Sequence, residues 1–85
     1  MKLKIFWQNN CPHCPEAIEI GKILEEEVEV QYHNVSTTDG LAEACLNNIM
    51  STPSMVIIDE KEQEIESWRG MVPKIDCIRK KISDK

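Results

Sequence analysis

The chain is predicted to be a small α/β domain: one four-stranded mixed sheet flanked by three helices, in the order β-α-β-α-β-β-α. Three observations carry this. Two short segments alternate apolar and polar residues, a third is continuously apolar, and stretches with helical spacing follow the first, second and last strands.

Taken in order, residues 2–7 set Leu3, Ile5 and Trp7 against Lys2, Lys4 and Phe6, which is strand periodicity. Residues 11–27 place Ala17, Ile20, Ile23 and Leu24 at helical spacing and end in a glutamate-rich turn. Pro12 suits the first turn of that helix, where its missing N–H is not needed. Pro15 falls further in, and a lost hydrogen bond and slight bend are expected there. Residues 28–35 alternate again, Val28, Val30 and Tyr32 against Glu29, Gln31 and His33, and the polar face marks an edge strand. Ser36, Thr37, Thr38 and Asp39 supply turn and N-cap chemistry. A second helix is expected over 40–49, with Leu41, Cys45 and Ile49 on its buried side. Met-Val-Ile-Ile at 55–58 suits a strand covered on both faces. Residues 64–69 form its antiparallel partner until Gly70 breaks it. Pro73 opens a last helix with an Ile75, Ile78 and Ile82 stripe, and Lys80, Lys81 and Lys85 near its negative end. The two strand–helix–strand crossovers are expected to give parallel pairs.

The 85 residues make one domain, 1–85, with a single modest core. A net charge of −5, with Glu25, Glu26, Glu27 and Glu29 clustered, argues against nucleic acid as a partner, because binders of phosphate backbones carry Lys/Arg patches. The cluster itself reads as a solvated helix end. No stretch approaches the roughly 18 consecutive apolar residues of a membrane span. The opening Met-Lys-Leu-Lys lacks the apolar run of a signal peptide. A cytoplasmic monomer is therefore expected, with no membrane partner. Four cysteines in a reducing compartment point to redox or metal chemistry rather than to a structural disulfide framework.

Asn-Asn-Cys-Pro-His-Cys-Pro at 9–15 admits three readings: a redox pair, half of a metal site, or two buried small side chains. The pair lies where the first strand hands over to the first helix, and the partial positive charge of a helix start stabilises a thiolate. Cys11 at the tip is then the exposed, acidic nucleophile, and Cys14, one turn on, the resolving thiol. Pro12 and His13 between them tune the pair. A protonated His13 favours the thiolate, stabilises the reduced form and makes the disulfide more oxidising; the alternative is a solvent-facing residue of little effect. A potential above about −270 mV is expected, on a scale of such pairs whose oxidising end is about −120 mV. Further on, Pro53 cannot extend a central ladder and should stand just before pairing begins, with a trans bond favoured by local sequence alone.

Together these features resemble the thioredoxin/glutaredoxin superfamily in its small, glutaredoxin-like form. Three motifs carry the resemblance: strand-loop-Cys-Pro-His-Cys-helix at 2–27, Ile-Met-Ser-Thr-Pro-Ser at 49–54, and Gly70 followed by the helix bearing Lys74. The resemblance implies a cis Pro53 packed against the cysteines, and a Thr52 whose backbone receives an extended substrate. Gly70 joins them in substrate binding. It also implies a thiol–disulfide oxidoreductase of disulfide-containing proteins, with no cofactor beyond its own redox-active disulfide and no metal. Two departures matter. No Asp or Glu in the first strand provides the buried base of thioredoxins. Gln8, Asn9 and Asn10 before the cysteines, and Gly70-Met71-Val72-Pro73 later, replace the glutathione clamp of glutaredoxins. These favour a flavoprotein of the thioredoxin-reductase type as electron donor.

The alternatives are a glutathione-dependent glutaredoxin, a soft-metal (Cu or Zn) carrier using the C-x-x-C pair, and an adaptor using the fold only for binding. Cys45 is expected to be buried packing, Cys77 partly exposed on the opposite side of the sheet, and His33 a polar-face residue without a metal role. Met50, Met55 and Met71 either flank a docking patch or fill the core.

Overall fold

The computed structural model describes residues 1–83. Lys85, expected near the end of the last helix, lies outside them. Four strands and three helices appear in the expected order: β1 (Lys2–Trp7), α1 (Cys14–Leu24), β2 (Glu29–Asn34), α2 (Thr38–Leu46), β3 (Ser54–Ile58), β4 (Glu64–Arg69) and α3 (Ile75–Ser83). They form one sheet in the order β2-β1-β3-β4, with β2 at an edge as its polar face suggested.

The alternation of β1 divides the core in two. Leu3 and Ile5 join Met55 and Ile57 of β3 under α1 and α3, meeting Ala17, Leu24 and Ile78. Phe6 points the other way and meets Val56, Ile58, Ala44 and Ile49. All five residues of β3 are buried, as a continuous apolar run between two helical layers requires.

The second crossover departs from expectation. β1 and β2 are parallel, from Lys2↔Glu29 to Trp7↔Asn34. β3 runs antiparallel to β1, pairing Phe6 with Ser54 and Lys2 with Ile58. The chain therefore leaves β2 and enters β3 at the same end of the sheet. The segment after Leu46 thus returns the chain to the end where Asn34 finished, so β3 cannot run parallel to β1.

α2 also sits one position round from its expected face. Its buried residues are Gly40 and Ala44, while Leu41, Cys45 and Leu46 are exposed. The cause is close approach: a Cβ on Gly40 would be driven into the carbonyl of Asn34. Only the smallest residues can face the sheet there, which turns the Leu41 and Cys45 side outward. Ile49 is buried, but beyond the helix. The N-cap is as expected, with the Thr37 hydroxyl accepting from the Gly40 N–H at 3.0 Å.

Lys4 is the unexpected core residue. It is 8% exposed on the α2 side of β1, and its Nζ donates to Glu43 Oε1 of α2 at 2.7 Å. On α1, Ile23 points outward. On α3, Ile78 is fully buried and Ile75 and Ile82 pack at its edge, with Lys80 and Lys81 in the last turn.

Candidate active site

β1 delivers the chain to the rim of the sheet, and Asn10, with φ of 60°, turns it toward α1. Cys11 and Cys14 are joined in a disulfide with their Cα atoms 5.3 Å apart. Cys11 is partly exposed, whereas Cys14 is 1% exposed. An attacking group can reach the first sulfur far more easily than the second.

The helix begins at Cys14, later than the spacing suggested, so Cys11 lies in the turn ahead of it. That turn is closed by the Cys14 N–H donating to the Cys11 carbonyl at 3.3 Å. Pro15 consequently occupies the first turn, where its missing N–H costs no helical bond, and the expected lesion is absent. The residue before a proline resists helical geometry, which keeps Cys11 out of the helix ahead of Pro12. His13 holds the N-cap position without a side-chain capping bond. The positive end of α1 therefore remains directed at the cysteines.

Across from the pair lies the Thr52–Pro53 peptide bond, which is cis. The Thr52 hydroxyl donates to Cys11 Sγ at 3.8 Å. Pro53 is buried immediately before β3, at the position where a proline does not interrupt the ladder. Gly70 follows β4 with φ of 73°, a conformation that ends the strand and favours glycine. His13, Thr52, Pro53, Gly70 and Met71 line a depression of about 330 Å³. A larger groove, of about 720 Å³, runs along the other flank of the cysteines between Trp7, Asn9, Ile18 and Lys22. Trp7 thus rims the site while Trp68 packs against the core.

β1 carries no acid beneath the cysteines. Ile5 and Leu3 are fully buried on that side, and the only charged residue of β1 that is buried, Lys4, faces the other layer. The three methionines divide: Met50 is 93% exposed and Met71 exposed, but Met55 is core. Cys77 is exposed on α3, across the sheet from Cys45 on α2. His33 is half-buried, stacked on Phe6 with ring centroids 5.3 Å apart. Among the described residues no group of three or more His, Cys, Asp or Glu is placed to hold a metal ion. Nor is any helix there long and apolar enough to cross a membrane.

Sequence reasoning missed two contributors. The Thr52 hydroxyl reaches Cys11, and Ser54, the residue after the cis proline, is fully buried between the Thr52 loop and Gly70. A buried serine in an otherwise apolar strand was the available signal. The arrangement as a whole places a dithiol–disulfide couple at a helix start, one cysteine partly open and one covered, beside the loop that carries cis Pro53.

The comparisons with known proteins agree with this geometry. A family model described as thioredoxin domain matches residues 1–83. A protein of Archaeoglobus fulgidus named probable thioredoxin is 35% identical over 60 residues; the match spans 68% of this chain and 66% of that protein, slightly under two thirds of its length. Thioredoxin 1 of Thermosipho africanus superposes with a TM-score of 0.81 at 19% identity, over 99% of this chain and 92% of that one. A reduced thioredoxin pre-protein of Schistosoma mansoni gives 0.75 at 19% identity, over 98% and 76%. The structural likenesses establish the thioredoxin-like fold. With the family match over nearly the whole chain and the bonded C-x-x-C pair in its place at the start of α1, the chain belongs to the thioredoxin-domain family.

Proposed function

We propose that this protein is a cytoplasmic, monomeric dithiol carrier that reduces disulfides in other proteins and is itself reduced by a flavoprotein of the thioredoxin-reductase type. The observation that carries the reading is the asymmetric pair: Cys11 and Cys14 are bonded at the start of α1, with Cys11 accessible and Cys14 covered. That asymmetry is what a two-step exchange needs.

In the reduced protein the Cys11 thiolate attacks one sulfur of a substrate disulfide. The substrate S–S bond breaks, its other sulfur leaves as a thiolate and takes up a proton, and a mixed disulfide forms on Cys11. Cys14 then loses its proton and attacks Cys11 Sγ. The mixed disulfide breaks, the second substrate sulfur leaves and is protonated, and the Cys11–Cys14 bond closes. Two electrons have passed from the dithiol to the substrate, with one proton lost from Cys14 and the other taken from water. The donor flavoprotein returns the two electrons, and Cys14 regains its proton.

The start of α1 supports Cys11 as the acidic thiol, since unpaired N–H groups and the helix field favour its anion. The Thr52 hydroxyl adds a donor on the other side of the sulfur. Pro12 and His13 complete the tuning. His13 is exposed and belongs to the depression shared with Thr52, Pro53 and Gly70, so its ring faces a docked substrate as well as the cysteines. In that depression the backbone of Thr52 would receive an extended peptide as an added strand, with Gly70 as its opposite rim.

The test is to offer the oxidised protein electrons by two routes, NADPH with a thioredoxin reductase or glutathione with its reductase, and to follow reduction of insulin. Turnover by the first route, none in Cys11→Ser, and a mixed disulfide accumulating in Cys14→Ser are the expected results. Turnover by glutathione alone would favour the glutaredoxin reading. Stoichiometric soft metal on protein purified under reducing conditions, with no reduction of insulin, would favour the carrier reading.

A further inference from the structure

We propose that Ser54 is a positioning residue, whose buried hydroxyl links the loop bearing Thr52 and Pro53 to the turn bearing Gly70 and so sets the width of the depression between them. The inference rests on the reading of that depression as the place where a disulfide-containing peptide docks.

Ser54 is the first residue of β3 and is fully buried. A serine hydroxyl has one proton to give and lone pairs to receive, and here both are used across the two segments. It donates to the Ser51 carbonyl at 2.7 Å and accepts from the Gly70 N–H at 3.0 Å. Neither segment is held there by the ladder alone. Ser54↔Arg69 is the last rung between β3 and β4, and Gly70, with φ of 73°, has already left the strand. On the other segment, Pro53 has no N–H to offer any carbonyl. The two segments are also in close apposition, since a Cβ on Gly70 would come within 2.8 Å of Ser51 Oγ. One hydroxyl thus closes a bridge from Ser51 to Gly70 beneath the opening lined by His13, Thr52, Pro53, Gly70 and Met71.

Removing that hydroxyl leaves the Ser51 carbonyl and the Gly70 N–H without the partner they share in two part-buried bonds, and the two segments satisfy them by separating or admitting water. The start of α1, which faces the nucleophilic sulfur, is not touched by this bridge. The loss therefore falls on substrate binding before it falls on the chemical step.

The experiment compares wild type and Ser54→Ala in steady-state reduction of insulin, with amide hydrogen exchange at Gly70 measured on both. The expected results are a rise in KM of roughly fivefold, matching one lost part-buried hydrogen bond, with kcat changed less than about twofold. The Gly70 amide should be protected in wild type and exchange faster in the variant. An unchanged KM in a folded variant, or a loss confined to kcat, would overturn the proposal while leaving the oxidoreductase reading intact. Should the variant not fold, an unprotected Gly70 amide in the wild-type protein overturns it and a protected one supports it. A wild-type protein that does not reduce insulin by either electron route removes the parent reading, and this inference with it.

Discussion

His33 shows how much a single side chain's setting changes its chemistry. Alternation along β2 assigns it to a polar face, yet its ring stacks on Phe6 and is half-buried. Burial disfavours the charged ring and lowers its pKa. Glu43 of α2 opposes this, and Lys4 of β1 adds to it. Because the folded-state value lies below the ordinary value of about 6.5, the unfolded chain takes up the proton first as pH falls. The stability associated with neutral His33 is therefore complete above that ordinary value and declines below it, levelling off beneath the folded-state pKa. Urea midpoints measured from about pH 8 to about pH 5 should fall in the acid half of that range. In His33→Phe, which retains the stack, the same series should be flatter. Glu43 and Glu64, whose carboxyls are held low chiefly by bonds from Lys4 and Arg69, lose their contributions only as pH drops below about 4.5. The histidine window stands clear of theirs.

Between elements, the bond from Lys4 to Glu43 does for α2 what apolar packing does for α1 and α3. α2 presents only Gly40 and Ala44 to the sheet, so it buries little apolar area of its own. Its attachment is supplemented by the Lys4–Glu43 ion pair at 2.7 Å. At its far end, Arg69 of β4 donates to the Asn47 carbonyl at 2.9 Å and is itself held by Glu64. With Lys4 nearly buried, Glu43→Ala leaves an ammonium without its carboxylate and should destabilise the protein by about 2 kcal/mol, below the range for fully buried pairs because Glu43 is partly solvated. Replacing both, Lys4→Met with Glu43→Leu, should recover most of that loss, since no charge is then stranded. Chemical denaturation of the single and double variants measures both. A double variant as unstable as the single one would show that the pair holds α2 in a way apolar contact cannot replace.

For the whole molecule, the quantity that summarises the design is its reduction potential. In the proposed couple the positive end of α1 and the Thr52 hydroxyl would both favour a thiolate on Cys11, with His13 adding to them when protonated, and every stabilisation of that thiolate would favour the reduced protein. Equilibration with a thiol–disulfide buffer should place the couple above about −270 mV, toward the oxidising end near about −120 mV. A value at or below the thioredoxin level would mean that these donors act equally on both redox states.

The elements of this protein and its bonded cysteine pair were legible in short stretches of chain. Period-two alternation marked β1 and β2, a continuous apolar run marked β3, and Cys-Pro-His-Cys after a strand marked the couple, because each depends on neighbours within a few residues. The direction of β3, the rotation of α2 that exposes Cys45, the burial of Lys4 and the Ser54 bridge depended on which distant segments meet. Local sterics and side-chain polarity decide what a segment becomes. Where it lies, and which face it can afford to bury, is decided by backbones tens of residues apart competing for the same space, and that competition exists only in the folded chain.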